Sequence, residues 1–204
     1  KRTFEQEYLA SFLTAANRVA YNFSRDIHCK VMETTSRMFW GVDFGVASYM
    51  TAILMCENTA GELYVFDEIG LQNSNTFELA KRMQEKGPGL PVYPDPAGKA
   101  RTSNSTKSDH NILQEAGFTV IARKANPTQK DRMNALNRML EDANGKHKLF
   151  INPKCKNTIR DLELCTLENG QILKTETLSH FVDGLMYPIE YRYGFRGQAK
   201  AIEW

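Results

Sequence analysis

Three aspartates in this chain stand where regular structure gives way to a turn or begins a helix, and those are the places from which a carboxylate can reach a ligand. Asp43 closes the apolar run Met38-Phe39-Trp40-Gly41-Val42 and is followed by Phe44-Gly45, so a strand presents an acid between two glycines that leave space for close approach. Asp95 follows Pro91-Val92-Tyr93-Pro94 and opens the turn Pro96-Ala97-Gly98. Asp183 lies three residues after His180, which puts both on one face of a helix that starts at Ser179. A further pair, Asp67-Glu68, ends the run Leu63-Tyr64-Val65-Phe66. Taken singly, each acid also fits a solvated turn or a cap. As a set they suit a hard cation such as magnesium or manganese, which prefers oxygen ligands held on rigid element ends, and Asp43 is the expected anchor of that site.

The elements that must position these acids follow from hydrophobic period and breakers. Phe4, Tyr8, Phe12, Ala15 and Val19 predict an amphipathic helix from Lys1 to about Asp26. Asp43 ends the first strand, Tyr49 to Cys56 forms a second, Asn58-Thr59-Ala60-Gly61 turns the chain, and Leu63 to Phe66 forms a third, giving a meander. A helix from Thr76 to Lys86 stops at Gly87-Pro88-Gly89 and leads into the strand before Asp95. Ser108 caps a helix that Gly117 ends; a strand at 118–122 follows, then a helix from Thr128 to Ala143 and a short strand at Lys148-Leu149-Phe150-Ile151. A helix from Asn157 to Cys165, a hairpin about Glu168-Asn169-Gly170 and the helix from Ser179 complete the order. His28, His110 and His147 are expected at the surface.

Composition narrows the class. A chain of 204 residues with 42% hydrophobic content can build one core, with an appended element. Cys29, Cys56, Cys155 and Cys165 show no CxxC spacing, which predicts reduced thiols in a cytoplasmic setting and no zinc site. No apolar run is long enough to span a bilayer, so no membrane is expected. The net charge of +2 is too small to identify a partner, but between Pro96 and Arg132 seven cations face three acids.

Mixed α/β order with acids on the first strand, the fourth strand and the last helix is the ground plan of the ribonuclease H-like fold, a central mixed five- or six-stranded sheet flanked by helices. The stretches VDFG at 42–45, YPDPAGKA at 93–100, NPKCKNTIRDLE at 152–163 and HFVDGLMY at 180–187 add a resemblance. Together they resemble the nuclease domain of the terminase large subunit of tailed double-stranded DNA bacteriophages, over a span from about Trp40 to Pro188.

That resemblance implies a metal-dependent endonuclease that cuts concatemeric viral double-stranded DNA during genome packaging. It implies Asp43 as a carboxylate shared between two Mg2+ or Mn2+ ions, with Asp95 and Asp183 as further ligands; Glu68, at a strand end that antiparallel pairing would bring near Asp43, is a further metal candidate from its position alone. Two ions about 4 Å apart would serve an in-line phosphodiester hydrolysis. His180 resembles a histidine that relatives carry just before the last acid, suited to a water or the scissile phosphate. Arg101, Lys107, Arg123 and Lys124 are candidates for DNA backbone contacts, since phosphate binding needs cations and no base reading.

The expected division is an N-terminal helix and linker at 1–36, a nuclease domain at 37–191 and a tail at 192–204. The chain starts at Lys1 and carries no GxxxxGK[ST] stretch, so the expectation is a C-terminal portion separated from an ATPase domain of the same polypeptide. By resemblance its partners are DNA, the portal protein and the small terminase subunit, in the cytoplasm of an infected bacterial host and outside the mature virion. Two alternatives use the same residues differently: a resolvase- or transposase-type nuclease, and a catalytically silent docking module of the packaging motor.

Overall fold

A computed structural model describes residues 17–35, 37–45, 49–100, 107–175 and 178–194. Its centre is a mixed six-stranded sheet in the order β5-β4-β1-β2-β3-β6. Strands β1 (Arg37–Phe44), β2 (Tyr49–Glu57) and β3 (Leu63–Gln72) form the antiparallel meander. β4 (Pro91–Pro94) pairs parallel with β1, β5 (Thr119–Val120) with β4, and β6 (Leu149–Ile151) with β3. β3 runs six residues past the expected end at Phe66, because β2 continues to offer partners as far as Tyr49 opposite Gln72.

Alternation along β1 sends its side chains to two cores. Trp40, Val42 and Phe44 pack with Leu79, Ala80 and Met83 of α2 (Thr76–Lys86) and with Leu113 of α3 (Asp109–Glu115). Phe39 faces the other way, onto α4 (Gln129–Leu140), α5 (Lys156–Leu164) and α6 (His180–Tyr193). Asp43 shares the parity of Phe39 and therefore belongs to the face that α6 covers.

α6 is buried from His180 through Glu190, on every side, so it behaves as a core helix rather than an amphipathic cover. It extends past Pro188 to Tyr193, beyond the expected domain limit at 191. Arg192 is held by Glu57 and by the Tyr93 hydroxyl at 3.0 Å, with its guanidinium over the Phe39 ring. A hairpin of β7 (Leu167–Glu168) and β8 (Gln171–Ile172) connects α5 to the approach to α6.

The chain ahead of β1, expected as a helix and linker, joins the same core within its described part. Val19, Ala20 and Phe23 are buried there, and the amide of Val19 donates to the Cys165 carbonyl at 2.9 Å. Residues 17–24 are turns and irregular chain with an isolated bridge from Arg18 to Thr166, and the one helix among the described residues of this segment is the single turn α1 (Arg25–His28). The expected helix therefore fails from residue 17 onward, since tertiary pairing takes the backbone that a helix would use; residues 1–16 lie outside the described residues.

Two histidines expected at the surface are buried. His28 is fully enclosed, with Nδ1 near the Ser24 carbonyl and Nε2 3.0 Å from the Leu140 carbonyl. His110 places Nε2 2.8 Å from the carbonyl of Asp95. In both cases a backbone oxygen supplies the partner that makes burial of the ring tolerable. The four cysteines are free, and among the described residues no helix is long and apolar enough to cross a membrane.

Candidate active site

The site is built by one close contact between a strand and a helix. Pro188 has no N–H, so the carbonyl of Gly184 four residues earlier has no proline amide to accept from. That carbonyl meets Gly41 of β1, where an added Cβ would stand 2.2 Å from the Gly184 oxygen and 2.8 Å from the Pro188 ring. Gly45 does the same at the strand end, where a Cβ would meet the Tyr49 carbonyl at 2.0 Å and His180 Cε1 at 3.0 Å. The glycines around Asp43 were expected to let another backbone or a ligand come close; what comes close is backbone, of α6 at Gly41 and of Tyr49 in β2 at Gly45.

This contact brings His180 and Asp183 to Asp43. His180 Nδ1 lies 3.2 Å from Asp43 Oδ2, and the ring stacks on Tyr49 at 5.9 Å between centroids. The His180 carbonyl accepts from Thr51 Oγ1 at 2.9 Å, and Thr51 is the residue opposite Asp43 in β2. His180 Nε2 is buried and has no hydrogen-bond partner among the described residues. Asp95 enters from the neighbouring strand: its amide donates to the Val42 carbonyl at 2.9 Å. Its Oδ1 accepts from Ala97 N at 2.8 Å and from Asn126 Nδ2 at 3.0 Å.

Burial raises the Asp43 pKa to about 6, the charges of Asp183 and Asp95 push it the same way, and the His180 hydrogen bond and Lys174 oppose them. Tyr187, one turn beyond Asp183, is raised by burial and then by the charges of Asp43 and Asp95. Three carboxylates thus share one electrostatic neighbourhood at the carboxyl ends of β1 and β4.

Asp183 is fully buried and carries two cations. Arg132 of α4 donates from its NH1 nitrogen to Oδ1 at 2.6 Å, and Lys174 Nζ lies 2.8 Å from Oδ2. Arg132 also lies over the Tyr187 ring at 5.0 Å. Neither cation was singled out in the sequence, because the pairing depends on helices and loops far apart in the chain. Among the described residues, no group of three or more His, Cys, Asp or Glu stands ready to hold a metal ion. The donor set still fits a hard divalent cation: buried carboxylate oxygens, one of them with a raised pKa, beside an orphaned imidazole nitrogen.

The start of α6 is fixed from outside. Ser179 precedes it in the left-handed region at φ 85°, with no side-chain cap of its own. Asp161 of α5 supplies the cap: Oδ2 accepts from the Phe181 amide at 3.0 Å while Arg160 donates to Oδ1 at 3.0 Å. Asp161 is fully buried, and burial raises its pKa against the bonds from Arg160 and the Phe181 and Val182 amides. Asp161 lies inside the stretch 152–163, yet helix period alone assigns it no partner.

Other sequence candidates do different work. Glu68 is not free to bind a metal: Oε1 accepts from Asn157 N and Nδ2, and Oε2 from Thr158 N and Oγ1, all at 2.8–2.9 Å. It caps α5, where the helix dipole favours an anion. Arg123 is bound to Glu190 of α6 at 2.6 and 2.9 Å, so it ties the β5 exit to the last helix rather than facing DNA. Lys107 is exposed but paired with Glu115 at 2.5 Å. Lys124 is exposed, and Arg101 lies outside the described residues.

A six-stranded mixed sheet flanked by helices, with acids on the first strand, after the fourth and on the last helix, defines a ribonuclease H-like domain. A family model described as the terminase RNaseH-like domain matches residues 40–192, and the chain belongs to that family. The fold is similar to that of the P22 large terminase nuclease domain, with a TM-score of 0.68 at 15% identity, covering 87% of this chain and 93% of that one. It is also similar to the large terminase nuclease domain of bacteriophage SPP1 solved with bound Mn, with a TM-score of 0.56 at 16% identity, covering 81% and 97%. A large terminase from a thermophilic bacteriophage, in complex with ATP-gamma-S, gives 0.67 at 18% identity over 85% of this chain. This chain spans 45% of that one. Comparison with curated proteins gives no match.

Proposed function

We propose that this chain is a divalent-metal-dependent endonuclease that cuts viral double-stranded DNA during genome packaging. The observation that carries the reading is the delivery of His180 and Asp183 to the buried carboxylate of Asp43 by the α6 contact on β1, with Asp95 entering from β4. Asp43, Asp95 and Asp183 would hold Mg2+ or Mn2+, two ions in the fullest form, with Asp43 as the shared ligand. Such ions, when bound, supply Lewis-acid stabilisation of phosphoryl oxygens and a nucleophile at neutral pH.

The protein's own residues orient and exclude. Thr51 fixes the backbone of His180 and Tyr49 stacks on its ring, and His180 in turn fixes one oxygen of Asp43, which leaves Nε2 to bond a water or a scissile phosphate oxygen. Asn126 and the Ala97 amide orient Asp95, so that one of its oxygens is committed and the other is directed. Arg132 orients Asp183 through a hydrogen bond to Oδ1, on the side away from the oxygen that Lys174 faces. DNA would be held through phosphate contacts, for which Lys124 is the exposed candidate and Arg101 a second.

The wider setting is part of the same proposal: concatemeric DNA as substrate, an ATPase domain in the same polypeptide, portal and small terminase subunit as partners, and the host cytoplasm as the place of action. The test is cleavage of supercoiled plasmid by the purified chain with Mg2+ or Mn2+. Nicking and linearisation that EDTA stops, and that Asp43→Asn removes with the circular dichroism spectrum unchanged, are expected. Full activity in EDTA, or none with any divalent ion, overturns the reading.

A further inference from the structure

The two cations on Asp183 differ in a way that points to different roles. Arg132 is 11% exposed, projects from the first turn of α4 and is held by the Tyr187 ring as well as by Oδ1. Lys174 is 58% exposed, two residues past the end of β8, and reaches Oδ2 from the solvent side. A planar guanidinium in a packed slot is a fixed donor, whereas a hydrated ammonium on a flexible stem moves to water at little cost. Asp183 itself is fully enclosed, so an uncompensated charge there is costly and some cation must stay close.

A divalent ion and the Lys174 ammonium compete for the same oxygen. With Nζ 2.8 Å from Oδ2, a second cation at coordination distance would meet like charge at contact range. We infer that Lys174 is a displaceable counter-ion of the proposed metal centre: its ammonium holds the place of a divalent ion on Asp183 and withdraws when the ion binds. The inference rests on the reading of Asp183 as a metal ligand. Its consequence is a site that stays neutralised without metal and binds metal less tightly than its carboxylates alone would.

The experiment is a calorimetric titration of the whole chain with Mn2+, in wild type, Lys174→Gln and Lys174→Arg. Lys174→Gln is expected to bind Mn2+ about three- to tenfold more tightly, as expected for loss of a partly exposed competing charge, while Lys174→Arg stays within about twofold of wild type. In EDTA the thermal midpoint of Lys174→Gln should fall, and saturating Mn2+ should remove that deficit. A lysine with a merely structural role would lower the midpoint with and without metal and would not tighten the ion. Mn2+ binding that is unchanged or weaker in a folded Lys174→Gln overturns the counter-ion role and leaves the metal site standing. No Mn2+ binding by any of the three proteins overturns both.

Discussion

The α-carbon of Gly41 on β1 lies against the backbone carbonyl of Gly184 on α6, so closely that a methyl group at Gly41 would stand 2.2 Å from that oxygen. Strand and helix backbones touch here with no side chain between them, and Asp183 of α6 is registered to Asp43 through this contact. Gly41→Ala should therefore cost about 1–3 kcal/mol by overpacking. It should also lower metal-dependent cleavage more than the stability loss explains, because α6 must move out. Chemical denaturation and plasmid nicking measured together test this; wild-type values for both would remove the contact from the site's assembly.

Asp43 sets a pH dependence of the metal-free protein. Its pKa is raised to about 6 in the fold, so the folded state favours the protonated carboxyl. That contribution to stability is fully present below the ordinary aspartate range and is lost as pH rises through about 6. Asp43→Asn, which keeps the shape without the charge, should be more stable than wild type in EDTA at pH 7.5, by on the order of 2–3 kcal/mol, and equal to it near pH 3.5. Thermal midpoints across this range read the difference directly. Saturating Mn2+ should reverse the order at pH 7.5, since it stabilises only the protein that keeps the ligand.

Asp161 caps the helix that carries the site without touching the acids. Asp161→Ala removes the side-chain acceptor of the Phe181 amide and one partner of the Arg160 guanidinium. The expected loss is about 1–3 kcal/mol. Asp161→Asn keeps an acceptor oxygen and should recover part of it. Hydrogen exchange at the Phe181 and Val182 amides should speed up in the alanine variant ahead of global unfolding, and unchanged exchange there would deny the cap.

Two cations with similar places in the sequence should part company in DNA binding. Arg123 is bound by Glu190, so Arg123→Gln should reduce stability by about 1–3 kcal/mol and leave the salt slope of DNA binding as it is. Lys124 is exposed, and Lys124→Ala should leave stability within about 0.5 kcal/mol while lowering that slope by about one. Binding curves at several salt concentrations, set beside denaturation midpoints, separate the two.

From β1 onward the sequence by itself determined the order of elements and the ends on which Asp43, Asp95, His180 and Asp183 stand, because hydrophobic period, glycine and proline act locally and need no partner. Parity along β1 even decided which sheet face carries Asp43. The tertiary structure decided whom each charged group meets. Glu68 and Asp67 ended a run that looked like a strand end, yet β3 continues and α5 claims Glu68; Arg123 looked free until Glu190 arrived from α6. Arg132, Lys174 and Asp161 carry no local mark, since an ion pair or a cap supplied from another element depends on distances that only packing creates. The glycines beside Asp43 make the same point: the sequence shows that something comes close there, and the fold shows that it is the carbonyl of Gly184 and the turn at Tyr49.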